Sequence, residues 1–403
     1  FHASLPPAPP MHDHARGQAA TVRAWALANL DALRAAAASA AQAERVAALR
    51  RWTDRECTRL APLMRRREVH GHVRECHGDL HLRNIVLIDG VPLPFDGIEF
   101  DAEMRRIDVV NDIAFTFMDL LGHGLPEFAW RFASGYAEHS GDYAGLALLR
   151  FFAVYRALVR ARVALLRAQQ VQAEAETEAG SEAKAGAHDS IGKYLALAES
   201  LAEPAAARQP LLVLTSGVSG SGKSTVAQCL AQHLGAVRVR SDVERKRLFA
   251  LAATTRPAPA ELATLYGADA TQRTYARLGE LARELLQAGV SVVVDAVALR
   301  RSERDALRSL ADECGARFSL VECHAPEAVL RARIERRLRE ANDASDADAG
   351  VLALQLGVRE PAAADEAVLA FDTDCAMEEL ERRCEALAAQ LVHAPRATET
   401  PPP

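Results

Sequence analysis

The chain has 403 residues, 49% of them hydrophobic and 25% charged, which is typical of a globular protein with two or three domains. Its net charge of -6 argues against a surface that coats nucleic acid. The seven cysteines form no C-x-x-C pair, which argues against a disulfide framework or a zinc site. No apolar run approaches the ~18 residues of a membrane span and no signal peptide is visible, so we predict a cytoplasmic protein without a membrane partner.

Residues 1–15 are rich in Pro and His and predict an irregular segment, whereas residues 16–64 predict packing helices, because apolar residues such as Val22, Trp25 and Leu30 recur at helical spacing in an Ala-rich segment. The pattern changes between residues 73 and 101. There, the two short β-like segments IVLI and PLPF are separated by Asp89-Gly90. An Asp-Gly dipeptide between two apolar runs is typical of a β-hairpin.

Polar residues stand at the ends of this predicted hairpin. Asp79 precedes it, Asn84 abuts the first strand and Asp96 closes the second. Because strand ends lie side by side in a hairpin, Asn84 and Asp96 can converge near Asp79. This layout indicates a kinase catalytic centre, in which one Asp accepts the proton of a hydroxyl while Asn and a second Asp hold Mg²⁺. A surface hairpin with incidental acids is the alternative.

The segments HGDLHLRN and FDGIEFD resemble the aminoglycoside phosphotransferase family, the small-molecule relatives of protein kinases. The resemblance implies that Asp79 is the catalytic base and that Asn84 and Asp96 are metal ligands. It also implies that Asp112 supports the catalytic loop from the following helix. Family members carry an N-terminal lobe with a lysine that grips ATP, whereas no lysine precedes Lys184 here. We therefore expect that lobe to be missing by truncation and the first ATP pocket to be half built.

Composition predicts the domain boundaries. Residues 107–121, 127–138 and 146–170 read as helices, and 171–188 is a low-complexity Ala/Glu stretch. We predict three segments: a mostly helical, kinase-like C-lobe with a small hairpin (1–170), a linker with a short helix (171–208) and a second domain (209–398).

The second domain opens on the segment LLVLTSGVSGSGKST. Its Gly217, Gly222, Lys223 and Ser224 fit G-x-x-x-x-G-K-[ST], the phosphate-binding P-loop. Glycines let the loop wrap closely around phosphates, and the backbone N–H groups and the helix dipole then favour an anion. Lys223 would reach the β- and γ-phosphates of ATP, and Ser224 would bind Mg²⁺. A flexible Gly/Ser linker is the alternative, but it leaves the flanking apolar runs unexplained. The predicted ATP-binding loop comprises Gly217, Val218, Ser219, Gly220, Ser221, Gly222, Lys223, Ser224 and Thr225.

Five apolar segments alternate with helical stretches and predict an α/β fold, with a parallel sheet of about five strands flanked by helices. Ligands bind such sheets at the carboxyl ends of the strands. Asp295 follows the third predicted strand and suits the Mg²⁺ role of a Walker B aspartate. Asp242 follows the second and is the predicted general base, with Arg245 placed to hold the acceptor. Asp242 could instead cap the following helix.

The S-D-x-x-R arrangement resembles P-loop kinases of the polynucleotide-kinase and zeta-toxin type, and gluconate- and shikimate-type kinases. Arg333 and Arg337 lie one helical turn apart, before a small acidic loop, and suit an arginine-bearing lid over the ATP phosphates. An amphipathic surface helix is the alternative. The whole chain resembles the bifunctional fusions of an aminoglycoside phosphotransferase-type domain with an AAA-like, ATP-binding P-loop kinase.

We predict an ATP- and Mg²⁺-dependent kinase that transfers the γ-phosphoryl group to a hydroxyl of a small molecule, with the P-loop domain as the complete active site. An ATP-driven regulatory module with a degenerate first domain is one alternative. A polynucleotide 5′-hydroxyl kinase is another, and the acidic net charge counts against it. Neither the acceptor nor the oligomeric state follows from the sequence.

Overall fold

The computed structural model describes residues 1–8, 17–174, 178–203, 209–340 and 343–393. The chain folds as two compact units. The first unit comprises Phe1–Leu125 and Leu148–Pro204, and the second comprises Pro126–Ala147 and Ala205–Pro403. Among the described helices, none combines the length and apolar character that a membrane span requires.

The first unit is mostly helical, as predicted. Its helices and strands are α1 (Gln18–Ala35), α2 (Ala40–Val69), β1 (Val73–Glu75), β2 (Ile85–Ile88), β3 (Val91–Pro94), β4 (Arg106–Asp108), α3 (Val109–Gly122), α5 (Leu149–Glu174) and α6 (Glu178–Ala202). Strands β2 and β3 form the predicted antiparallel hairpin. Asp89 and Gly90 both have positive φ, 51° and 77°, which is what a two-residue hairpin turn requires.

Helix α3 lies at the centre of the first unit. Every residue from Val109 to Asp119 is buried, and a helix that is covered on all sides belongs to a core. Asp108 caps its N-terminus by accepting a hydrogen bond from the Val110 N–H. The same carboxylate forms a buried, two-bonded ion pair with Arg67 of α2, at 2.7 and 3.0 Å. The start of α3 is therefore fixed against α2.

The second unit is a parallel sheet flanked by helices, as predicted. Its strands are β5 (Leu211–Ser216), β6 (Val237–Arg240), β7 (Val292–Asp295), β8 (Arg317–His324) and β9 (Val368–Asp372), in the order β6-β7-β5-β8-β9. Its helices are α4 (Pro126–Ser140), α7 (Lys223–Leu234), α8 (Ser241–Leu248), α9 (Pro259–Leu265), α10 (Ala268–Gln287), α11 (Arg301–Glu313), α12 (Glu327–Glu340), α13 (Ala349–Val358) and α14 (Met377–His393).

The register of the sheet positions the candidate site. Strand β5 is central and fully buried, and Thr215 near its end pairs with Asp295 of β7. On the other side of β7, Asp295 pairs with Arg240 of β6. Since all these strands run parallel, their carboxyl ends meet at one edge. The loop after β5, Asp295 and Arg240 therefore lie together.

The chain departs from the predicted organisation in two places. Helices α5 and α6 extend into the stretch expected to be a linker, because Ala and Glu are strong helix formers. Residues 175–177 and 204–208 of that stretch lie outside the described part. Helix α4, expected within the first domain, groups instead with the second unit. Residues 394–398 of the predicted second domain are also outside the described part.

The buried ion pair between Arg304 and Glu366 fastens the loop after β7. The two side chains are bonded twice, at 2.6 and 2.9 Å, and Arg304 also donates to the carbonyl of Ala298. We expect Arg304→Ala to lower the free energy of unfolding by about 3–5 kcal/mol, because it leaves a buried carboxylate unpaired. Urea denaturation measures this loss. Arg300→Ala, at an exposed position nearby, is the control, and an equal effect of both variants would contradict the assignment.

Candidate functional site

The loop between β5 and α7 has the backbone that a phosphate cradle needs. Gly217, Gly220 and Gly222 all have positive φ, at 141°, 82° and 78°. A Cβ atom on Gly217 would lie 2.4 Å from the carbonyl oxygen of Cys323, and one on Gly220 would lie 2.6 Å from that of Leu330. The loop is thus clamped between its neighbours in a conformation that only glycine adopts without strain.

Helix α7 begins at Lys223 with uncompensated positive charge. Its N-cap is Gly222, which has no side chain to cap the first N–H groups. Most of the Lys223 side chain is buried, and its ammonium makes no hydrogen bond or ion pair within the described part of the chain. A positive charge without a partner favours an anion beside it. Together with the helix dipole, it makes this end of α7 a site for an anion.

Ser224 and Asp295 meet beside the loop. The Ser224 hydroxyl donates to Asp295 Oδ1 at 3.1 Å. Asp295 is buried, and its second oxygen, Oδ2, has no hydrogen-bond partner among the described residues. A hydroxyl and a carboxylate with an unpartnered buried oxygen are the oxygen ligands that Mg²⁺ accepts, so the residues present fit the predicted metal.

Two arginines at the end of β6 border this pair. Arg240 Nε lies 3.6 Å from Asp295 Oδ2, and the other nitrogens of Arg240 reach Glu138 at 3.3 Å and Asp343 at 3.1 Å. Arg238 donates to the carbonyl of Ser224 at 3.3 Å and to Glu138 at 3.0 Å. Burial lowers the pKa of Arg240, but the surrounding carboxylates, Asp295 first, raise it above its usual value.

Asp242 and Arg245 occupy α8, directly after β6. Asp242 is half-buried in the first turn, and the N-cap of the helix is Arg240, so Asp242 is not the capping residue. Arg245 is buried and donates to the carbonyl of Leu265 and the hydroxyl of Thr271, at 3.0 and 3.3 Å. Its Nε has no partner among the described residues, and its guanidinium lies 5.0 Å from the ring centre of Tyr266.

A cavity of about 1130 Å³ opens between α10, α11 and α13. Arg245 and Tyr266 line one part of it, Leu299 and Leu307 another, and Gln355 of α13 a third. Gln355 also accepts a hydrogen bond from the Ser219 N–H of the glycine-rich loop at 2.7 Å. The cavity therefore adjoins the loop.

The two lid arginines contact backbone. Arg333 donates to the carbonyl of Gly220 at 3.3 Å and to the hydroxyl and carbonyl of Thr373 at 2.9 and 2.7 Å. Thr373 in turn donates to the carbonyl of Ser221 at 2.9 Å. Arg337 donates to the carbonyl of Ala347 at 2.8 Å and so holds the end of α12 to the loop that precedes α13.

The first unit brings its predicted residues together as well. Asn84 Nδ2 donates to the carbonyl and the carboxylate of Asp79, at 3.0 and 3.2 Å, and to the carbonyl of Asp96 at 3.4 Å. Asp112 accepts from the backbone N–H groups of His77 and Gly78, at 3.1 and 2.9 Å. Burial raises the pKa of Asp112, but the hydrogen bond and charge of His2, the charge of Arg156 and the Gly78 N–H together lower the pKa below its usual value.

Several residues at the site were not singled out from the sequence. Glu138, Arg238, Arg240, Gln355 and Thr373 all contact the loop, Asp295 or the arginines beside them. Their partners are far away in sequence, and no local motif marks them. The only available signal was the position of Arg238 and Arg240 at the end of a predicted strand.

The glycine-rich loop, the Ser224–Asp295 pair and the parallel sheet define a P-loop nucleotide-binding domain. A family model described as an AAA domain matches residues 212–362. An adenylyl-sulfate kinase of Myxococcus xanthus is 31% identical over 156 residues, which cover 38% of this chain and 75% of that protein. Through its second unit, the chain therefore belongs to the P-loop kinases.

The chain is also similar to a longer curated protein and to a solved kinase structure. An uncharacterised protein of Mycobacterium tuberculosis is 32% identical over 283 residues, which cover 70% of this chain and 54% of that protein. The chain thus spans about half the length of this curated relative. Among solved structures, a gluconokinase from Sinorhizobium meliloti is 27% identical, with a TM-score of 0.34 and coverage of 46% of this chain and 95% of that one.

Thr373 offers a test of how the glycine-rich loop is held. We expect Thr373→Val to lower the free energy of unfolding by about 1–3 kcal/mol, because the Ser221 carbonyl and Arg333 lose a buried partner. Nucleotide binding should weaken with it. Urea denaturation and a nucleotide titration measure the two effects. Thr373→Ser keeps the hydroxyl and should behave like the parent; a Val variant equal to the parent in both assays would contradict this role.

Proposed function

We propose that the protein is an ATP-dependent kinase that transfers the γ-phosphoryl group of ATP to a hydroxyl of a small molecule. One observation carries this proposal: the ammonium of Lys223, unpaired among the described residues, belongs to the first residue of α7, whose N-terminus is open, and the Ser224–Asp295 pair follows directly. A polyphosphate would neutralise the first feature, and its metal ion would use the second. The kinase relative from M. xanthus supports the same reading.

In this proposal, the loop from Gly217 to Thr225 binds the phosphates of ATP and Lys223 contacts the β- and γ-phosphates. Ser224 and Asp295 hold Mg²⁺, which when bound neutralises the charge on the phosphate oxygens. Arg333 fixes the loop through Gly220, and Arg337 keeps the lid in place. These contacts would exclude water from the transferred group.

Asp242 is the proposed general base. Its carboxylate would take the proton of the acceptor hydroxyl as the acceptor oxygen bonds to the γ-phosphorus. The bond from that phosphorus to the bridging oxygen breaks, and ADP leaves with the electron pair. Asp242 is half-buried and makes no hydrogen bond to another side chain within the described residues, so its carboxylate is free to accept this proton.

The cavity beside Arg245 is the proposed acceptor site. Its volume of about 1130 Å³ suits a small molecule rather than a protein surface. Arg245 lines this cavity, so its positive charge would favour a polar or anionic group of the acceptor. Leu299 and Leu307 supply apolar walls, so an acceptor with both polar and apolar parts fits best.

For the first unit, we propose a relationship to the aminoglycoside phosphotransferases, which would make the chain a bifunctional fusion. Asp79 would be its base, and Asn84 and Asp96 its metal ligands. The convergence of these three residues, and the support that Asp112 gives to the preceding loop, favour this assignment over a surface hairpin. The match to the M. tuberculosis protein covers more of the chain than the second unit comprises, so the relative shares sequence with both units.

Lys223→Ala tests the nucleotide site. We expect the variant to lose Mg·ATP binding by at least about 100-fold, because it removes the ammonium that would contact the phosphates at the N-terminus of α7. Isothermal titration with a non-hydrolysable ATP analogue measures this. Lys193→Ala, on helix α6 of the first unit, is the matched control. Normal nucleotide binding by Lys223→Ala would show that the loop does not bind ATP.

Asp242→Asn separates catalysis from binding. We expect it to bind Mg·ATP like the parent and to lose about 100-fold or more in phosphoryl transfer, since the amide cannot accept the hydroxyl proton. Transfer of labelled phosphate into a pool of metabolites measures the rate. A regulatory ATP-binding module needs no base at this position, so unchanged transfer by Asp242→Asn would favour that alternative.

A further inference from the structure

Helix α4 brings one acidic side chain, that of Glu138, to the edge of the sheet where Arg240 and Asp295 lie. Glu138, near the end of this helix, stands 100 residues before Arg238 in the sequence. Its carboxylate bridges two arginines: Oε2 accepts from Arg238 at 3.0 Å, and Oε1 lies 3.3 Å from Arg240. Glu138 is four-fifths buried, so this pairing is only weakly screened by solvent.

The position of Arg240 decides whether Asp295 is available to a cation. Its Nε lies 3.6 Å from Asp295 Oδ2, within ion-pair range but too far for a good hydrogen bond, and Oδ2 has no hydrogen-bond partner among the described residues. Without a competing carboxylate, the guanidinium would close this gap, because charge-assisted pairs between arginine and carboxylate prefer 2.7–2.9 Å.

Two carboxylates hold Arg240 back. Glu138 takes one terminal nitrogen, and Asp343 takes the other at 3.1 Å. Asp343 is one-third exposed and accepts from Arg240 with both oxygens, at 3.4 and 3.1 Å. Glu138 accepts one bond, but it is more buried and is fixed by a second arginine, so both carboxylates restrain Arg240 and Glu138 is the better shielded from solvent. The helix that carries it is itself anchored on β6, where the Arg238 N–H donates to Ser134 at 3.2 Å.

We propose that Glu138 is a positioning residue that keeps Arg240 away from Asp295 and thereby sets the Mg²⁺ affinity of the site. The proposal rests on the proposed kinase function. It means that a helix encoded inside the first 150 residues tunes the metal site of the P-loop domain. The negative charge of Glu138 also offsets part of the positive charge of Arg238 and Arg240, which limits their repulsion of a bound divalent cation.

A double-mutant cycle on the full chain tests this inference. The readout is the Mg²⁺ concentration that gives half-maximal binding of a fluorescent, non-hydrolysable ATP analogue, so no turnover is needed. Glu138→Gln should raise this concentration by about tenfold, the size of effect that loss of a residue behind a metal ligand commonly has. Arg240→Gln should leave it equal to or below the parent value. In the Arg240→Gln background, Glu138→Gln should then have little further effect.

A merely structural role predicts a different result. If Glu138 only holds α4 in place, Glu138→Gln would lower the melting temperature and its effect on Mg²⁺ would persist without Arg240. Glu127→Gln, on the same helix and without an ion pair within the described part of the chain, is the matched control. An unchanged Mg²⁺ dependence in Glu138→Gln, or a rise that persists in the double variant, would overturn this inference. If the parent itself showed no Mg²⁺-dependent nucleotide binding, the proposed function would fail, and this inference with it.

Discussion

The hydrogen bond from Ser224 to Asp295 joins the glycine-rich loop and α7 to the end of β7. The rest of the candidate site depends on this contact. Ser224 belongs to the first turn of α7 and Asp295 to the end of β7, and the parallel register brings them together. The bond can exist only because β7 lies directly beside β5 in the sheet. A change in strand order would separate the glycine-rich loop from its acidic partner.

Several polar and charged groups at the site lack a hydrogen-bond partner within the described part of the protein. Among the described residues, the Lys223 ammonium has no hydrogen-bond or ion-pair partner, and one oxygen of Asp295 and one buried nitrogen of Arg245 have no hydrogen-bond partner. Folding pays for these unmatched groups with the apolar core around β5 and β7. Such concentrated, unmatched polarity is expected where a charged ligand completes the structure. Elsewhere in the unit, buried charges such as Arg304 and Glu366 are fully paired.

Local patterns were sufficient to predict much of this architecture. The glycine-rich loop, the five strands and the Asp-Gly hairpin each depend on neighbouring residues, and the structure confirms those elements. The grouping of Asn84 and Asp96 near Asp79 followed from the hairpin geometry alone. Glu138 and Thr373 could not be found this way, because their partners lie 100 and 152 residues away. The extent of α6 was missed since a polar Ala/Glu stretch fits both a linker and an exposed helix.

The reaction that we propose for this site is the transfer of a phosphoryl group to a small molecule. Incubation of the parent chain with γ-labelled ATP, Mg²⁺ and a fractionated pool of small metabolites tests it most directly, with 5′-hydroxyl oligonucleotides in a parallel reaction. We expect label in at least one metabolite fraction and none in the oligonucleotides. Label found only in inorganic phosphate, or in the oligonucleotide 5′ ends, would contradict it.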